Sequence, residues 1–310
     1  NTSGTTWTAA YTTDGADTDG SVTYSIAFSD LSSNAGTAVT SGTGSVTFDK
    51  TAPSISAIAT SALSWGAVLN ATEDNSVGTV TVTTSGAEDG QLVTITLNSA
   101  VYTGEVSSNT AVVTITASGL QNLTHGSTYT LTADVSDAAG NAAAQVTSSA
   151  FTVDTLVPEV NSVTATTVNG IYNSGDQITV QIVFSQVVYV TGSATITLDT
   201  GGSGDAVSYS TGSGSQYLDF VYTVGSGDTS ADLGYLATNS LALVGSATIK
   251  DVNGNDATLA LPTPGATNSL ADSKALVIDT TVPTLSNVSI ASDNTTTTLA
   301  KVADVVTLTF

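Results

Sequence analysis

The chain has 310 residues, with four lysines, no arginine and 26 acidic side chains, for a formal charge of −22 at neutral pH. That balance argues against nucleic acid and anionic membrane surfaces as partners, because no basic patch exists to neutralise phosphates. Cysteine is absent, which removes disulfides and thiolate metal sites, and no apolar run approaches the ~18 residues that span a bilayer.

Apolar residues recur at every second position along the chain, which is the strand period. Val22, Tyr24, Ile26 and Phe28 share one face of a strand. Val93, Ile95 and Leu97 follow, then Tyr129, Leu131, Ala133 and Val135. The pattern returns at Ile178, Val180, Ile182 and Phe184, at Leu218, Phe220, Tyr222 and Val224, and at Val306, Leu308 and Phe310. Threonine, serine and aspartate fill the alternate positions, as in antiparallel sheets with one wet face. No segment carries a helical period. Of the 26 acidic residues 22 are Asp and four are Glu, and aspartate belongs in turns and oxygen-rich loops rather than helices. The expectation is an all-β chain of antiparallel sandwiches.

Two phrases punctuate this pattern. Phe48-Asp49-Lys50-Thr51-Ala52-Pro53 recurs as Val153-Asp154-Thr155-Leu156-Val157-Pro158 and as Ile278-Asp279-Thr280-Thr281-Val282-Pro283. The aspartates lie 105 and 125 residues apart, the length of one sandwich domain. Proline fixes its own φ and keeps the preceding residue extended, so each phrase reads as a short, stiff joint. The second phrase precedes each joint: Asp30-Leu-Ser-Ser-Asn34, Asp137-Ala-Ala-Gly-Asn141 and Asp251-Val-Asn-Gly-Asn255. The joints divide the chain into a partial domain of closing strands (1–52), two complete sandwiches (53–157 and 158–282) and a partial domain of opening strands (283–310). The two partial ends are expected either to have been cut from a longer array or to complete one another between copies.

Calcium is the cofactor these oxygens suit, since a hard cation takes six to eight oxygen ligands from Asp, Asn and carbonyls. Asp251, Asn253, Asn255 and Asp256 form the best local cluster, with the 1, 3, 5 spacing that opens an EF-hand loop. It lacks the glycine at the sixth place, where Asp256 stands, and the glutamate at the twelfth, where Pro262 stands. An Asx-turn hairpin is the competing reading. Asp17, Asp19 and Gly20 form a weaker fragment. Catalysis is not expected. The one histidine, His125, reads as an exposed turn residue, and no glycine-framed nucleophile turn is present. Glu73/Asp74 and Glu88/Asp89 read as solvated turn residues. Trp7 and Trp65 read as core or end-covering residues, with sugar stacking as the alternative. The sequons at Asn1, Asn70, Asn122, Asn287 and Asn294 matter only if the source glycosylates.

The Asp-Xaa-Thr-Xaa-Xaa-Pro joints, the Asp137–Asn141 loop and the stretch Trp65-Gly-Ala-Val-Leu-Asn70-Ala-Thr-Glu73-Asp74 resemble the bacterial Ig-like repeats of giant surface adhesins and surface-layer proteins. So do Tyr172–Asp176, Tyr222–Asp228 and Leu276–Asp279. Asp30–Asn34 departs from the pattern by lacking glycine at its fourth position. The resemblance implies tandem Ig-like sandwiches arranged end to end in an extracellular, cell-surface protein. Their role would be structural and adhesive, in a stalk or fibre, with neighbouring repeats or copies as partners. A surface-layer lattice and an array of carbohydrate-binding modules with glycan partners are the alternatives. It also implies that the joint aspartates Asp49, Asp154 and Asp279 meet the loop pairs around calcium; otherwise they cap the last strand. The expected sets are Asp137 and Asn141 with Asp154, and Asp251, Asn253 and Asn255 with Asp279; Asp30 and Asn34 form the loop before Asp49.

Overall fold

The computed structural model describes residues 7–310. Strands dominate it, and the only helical pieces among the described residues are the single turns Thr60–Ala62, Ala117–Gln121 and Leu270–Ser273. None is long or apolar enough to cross a membrane. The chain divides into two compact units: residues up to Val157 together with Asn253–Asn255, and Pro158–Val252 together with Asp256–Phe310.

The first unit contains a seven-stranded sheet. Its order is Val146–Thr147, Leu131–Asp134, Leu92–Leu97, Ala100–Ser107, Thr110–Ile115, Gly78–Ser85 and Ser54–Ile55. All its pairings are antiparallel. A three-stranded sheet, Val68–Asn70, Phe151–Asp154 and Thr128–Tyr129, shares its core. The strand period produces that core directly. Val80 and Val82 are buried while Thr81 between them and Thr83 after them are exposed. Phe151 packs edge-on against Trp65, ring centroids 5.3 Å apart. Two consecutive hairpins have two-residue turns with positive φ at both positions, Asn98/Ser99 (48° and 67°) and Ser108/Asn109 (51° and 62°). That twist matches the twist of the flanking strands, and it fixes which face each residue takes. Thr116 caps the helical turn at Ala117–Gln121, its hydroxyl accepting from the Gly119 amide. The segment before Asp49 is more sparsely paired, with one two-stranded sheet, Gly20–Ser21 with Thr47–Phe48, and single bridges at Ile26/Val39 and Ser29/Ala35.

The second unit is organised around one 23-residue strand, Gln177–Asp199. It pairs antiparallel with Val160–Ala165, Asp205–Thr211, Ser215–Thr223, Gly234–Tyr235 and Leu241–Lys250. A strand this long turns a corner, and its register slips between Val183 and Val188 and between Thr191 and Ser193. Gly192 sits in the second slip with φ of 78°. A Cβ there would stand 2.9 Å from that of Ala247, so both the turn and the close approach require glycine. A second sheet joins Gly170–Tyr172, Leu276–Asp279 and Thr229–Ser230. Ile178, Val180, Ile182, Phe184, Leu218 and Phe220, from the first sheet, form the fully buried centre of the unit. Residues 283–310 add a separate hairpin, Ser289–Ser292 with Val306–Thr309.

One feature of each sandwich departs from a purely antiparallel arrangement. Val68–Asn70 runs parallel to Phe151–Asp154, and Gly170–Tyr172 runs parallel to Leu276–Asp279. In both, the last strand, the one that ends in a joint aspartate, docks beside an early strand through a parallel pair. Alternation alone does not encode the relative direction of two strands.

Candidate functional site: aspartate joints and asparagine loops

The three joints share one local geometry. Asp49 Oδ1 accepts the Thr51 amide at 2.9 Å, Asp154 Oδ1 the Leu156 amide at 3.2 Å and Asp279 Oδ1 the Thr281 amide at 3.0 Å. Each is an Asx turn, in which a short carboxylate folds back on the backbone two residues later. Each aspartate thereby shapes the exit from a last strand.

The loops before the joints also repeat. Asp30 accepts the Asn34 amide at 2.9 Å and the Asn34 side-chain Nδ2 at 2.8 Å. Asp137 does the same with Asn141, at 2.8 and 2.9 Å. Single bridges close both loops, Ser29/Ala35 and Ser136/Ala142. In both, the asparagine side-chain bond is the leading reason that the carboxyl is held below the usual carboxylate range, with backbone amide bonds adding to it. Donors aimed at a carboxylate favour its charged form. Asp137 is buried, whereas Asp30 is exposed.

What the loop asparagines reach is the main finding at these positions. Asn141 Nδ2 donates to the Asp49 carbonyl at 3.1 Å, 92 residues earlier. Asn255 Nδ2 donates to the Asp154 carbonyl at 3.1 Å, 101 residues earlier. The same bond thus occurs twice, about one domain length apart in sequence. The pairing differs from the expectation of Asp137 and Asn141 with Asp154, and of Asn253 and Asn255 with Asp279. The observed bonds run back to the preceding joint rather than forward to the following one. Sequence adjacency favoured the following joint, 13 residues after Asn141, over a joint 92 residues before it. A sandwich brings its two ends together by closing its sheets, and spacing along the chain does not show this.

Within the first unit, residues 253–255 lie against 70–73 and Asp154. Asn255 Oδ1 accepts the Ala71 amide at 2.7 Å, and Asn70 Nδ2 donates to the Asn253 carbonyl at 3.2 Å. Asn253 Nδ2 donates to Asp154 Oδ2 at 2.5 Å. Gly254 has φ of 89°, and a Cβ on it would meet Asn70 Nδ2 at 3.2 Å, so the tip is glycine for both reasons. Glu73 folds back to accept the Asn70 amide at 3.1 Å.

The remaining candidates fall in different places. Asp251 and Asn255 are buried. Asp256 forms an ion pair with Lys250 at 3.0 Å. Asp279 makes its Asx turn beside the sheet contact with Thr229. Trp65 is core and Trp7 is exposed. The sequon at Asn1 lies outside the described residues.

His125 is an exposed turn residue, as expected; its Nδ1 accepts the Thr155 amide at 3.1 Å and lies 3.4 Å from Asp154 Oδ1. Asp74 is not simply solvated: its Oδ1 is buried with no hydrogen-bond partner, and burial raises its pKa. Among the described residues no three His, Asp or Glu side chains converge. Around Asp154 the asparagines turn their side-chain nitrogens to the aspartate, and Asn255 Oδ1 and Glu73 Oε2 accept the Ala71 and Asn70 amides. Asp, Asn and Glu oxygens are the kind that a hard cation such as calcium takes.

No family model matches the chain, and no curated protein matches it. Among solved structures it is similar to a Ca2+-stabilised adhesin that helps an Antarctic bacterium reach out and bind ice. Identity there is 22% and the TM-score 0.46, over 88% of this chain and 60% of that one. It is also similar to a 1.5-MDa bacterial ice-binding adhesin described for host cell surface retention, at 21% identity and TM-score 0.43, over 77% and 72%. A fragment of the titin I-band matches at 12% identity and TM-score 0.35, over 74% and 66%. The chain therefore spans 60% of the length of the first of these structures.

Proposed function

We propose that this chain is a non-enzymatic, structural and adhesive repeat segment of a large extracellular surface protein, with calcium held at its joints. The observation that carries this reading is the bond from a loop asparagine to a joint aspartate carbonyl, made by Asn141 with Asp49 and by Asn255 with Asp154. A contact that recurs at domain spacing has a mechanical logic: it ties the strand exit of one repeat to a loop about one domain further along the sequence. Asp154, Asn253, Asn255 and Glu73 would hold the ion at the second of these joints, and Asp49, Asp137 and Asn141 at the first. Bound there, calcium would offset repulsion among carboxylates in a chain of charge −22. At Kd of about 10⁻⁴–10⁻³ M and ~10 mM free ion, each site would add roughly 1.4–2.7 kcal/mol.

Brief protease treatment of intact cells of the source organism, followed by peptide identification, tests the placement. Peptides of this chain in the supernatant of unbroken cells are expected. Their appearance only after lysis would contradict a surface role.

A further inference from the structure

The loop Asp14–Asp19 carries three aspartates in six residues, and the ammonium of Lys50 is seated against its backbone. Lys50 Nζ donates to the carbonyls of Gly15 at 3.0 Å and of Asp17 at 2.5 Å. The carboxylates turn to amide and hydroxyl donors of the loop and the joint, while the ammonium takes backbone carbonyls. Asp17 accepts the Tyr11 hydroxyl at 2.7 Å and the Asp14 amide at 2.8 Å. Asp14 Oδ1 accepts the Ala16 amide at 2.8 Å. Asp19 accepts the Lys50 amide at 2.9 Å and the Thr51 hydroxyl at 2.5 Å. One residue thus binds the loop through both its main chain and its side chain, 31 to 35 positions away in sequence.

We infer that Lys50 is the resident cation of this loop, its ammonium filling the oxygen nest that a divalent ion would otherwise order. The ammonium is a compact point charge with three donors and no acceptor, so it can satisfy converging carbonyls as an ion does. It differs from an ion in being covalently present at all concentrations. The chain has only four lysines, and the residue following the aspartate is threonine at both other joints, Thr155 and Thr280. The first joint alone therefore carries its own positive charge into an acidic loop. The order of this loop is built to be independent of external calcium. This inference concerns the Asp14–Asp19 loop, which is tied to Lys50 and Thr51 of the first joint; the calcium proposed at Asp49, one residue before Lys50, is tested separately by the melting of the whole chain.

The test is hydrogen exchange on peptides covering 14–20 in the full chain, wild type and Lys50→Gln, each in chelator and in 10⁻² M calcium. Wild-type exchange should be the same in both solutions. Lys50→Gln should exchange at least about tenfold faster in chelator, and calcium should restore much of the protection. A wild-type loop that responds to calcium would overturn the inference. So would a variant indistinguishable from wild type in chelator, or faster exchange that calcium does not reverse. Unchanged exchange in Phe151–Asp154 peptides of the variant serves as the check that the neighbouring sandwich remains folded.

Discussion

Two segments of this chain carry the same strand signature and meet opposite fates. Ile178, Val180, Ile182 and Phe184 alternate after Asp176 and are fully buried under the strands that pair with Gln177–Asp199. Val306, Leu308 and Phe310 alternate after Asp304, yet expose 52%, 55% and 79% of their surface. The local fold is alike in both: Asp176 accepts the Asn173 amide at 2.9 Å and Asp304 the Lys301 amide at 2.8 Å. Alternation specifies a face, and only a covering sheet turns that face into core. Removing water from apolar surface is what stabilises the fold, so the two segments contribute very differently to stability.

Truncation should expose that difference most sharply. Phe220→Ala, in the buried centre of the second unit, should cost about 3–5 kcal/mol through lost transfer energy and a residual cavity. Leu308→Ala should change stability by less than about 0.5 kcal/mol. Calorimetry of the two variants decides, and equal losses would mean that residues 306–310 are covered after all.

A second contrast concerns backbone approach. A Cβ on Gly104 would lie 2.7 Å from the carbonyl oxygen of Val112, a main-chain atom that cannot rotate away. Gly104→Ala should therefore destabilise the first unit by about 1–3 kcal/mol, read as a lower denaturant midpoint. No loss would show that the hairpin strands slide apart easily.

The asparagine loops extend the comparison. Asn255 is buried and bonded to both Ala71 and Asp154, whereas Asn34 is exposed and its side chain donates to Asp30 of its own loop. Asn255→Ala leaves buried groups unpaired and should cost about 1–3 kcal/mol, against roughly 0.5 kcal/mol for Asn34→Ala. If both cost the same, the Asp154 contact is not selectively stabilising.

The smallest effect is on pH dependence. Asp30 and Asp137 have folded pKa values lowered mainly by the Asn34 and Asn141 side chains. The unfolded chain then takes up protons first on acidification. Their contribution is present above the unfolded value, near 4, and is lost as pH falls through the folded value. Asn141→Ala should flatten the fall in stability below about pH 4, measured by denaturation at several pH values. An unchanged slope would remove this contribution from the account.

Much of the fold was legible because its signal is local. The period-two runs at Val93–Leu97 and Ile178–Phe184 became strands with the faces the alternation assigned. The two parallel pairs and the corner in Gln177–Asp199 were not legible, since they depend on strand direction and on Ala247 standing over Gly192. In the candidate site, the loop and joint phrases were visible as repeats, but which loop meets which joint was not. Nothing in the sequence pairs Ala71 with Asn255, 184 residues away, or places His125 beside Asp154. Asp74 is a neighbouring case, where a turn-like sequence masked a buried carboxylate oxygen.

Calcium is proposed to sit where asparagine loops meet aspartate joints, and one titration tests that proposal most directly. Metal-stripped full chain is melted at rising calcium, beside Asp154→Asn. The wild type should gain several degrees by ~10 mM calcium, as a site worth roughly 1.4–2.7 kcal/mol requires, and Asp154→Asn should gain distinctly less. A wild-type melting temperature that does not rise by ~10 mM calcium would contradict that proposal.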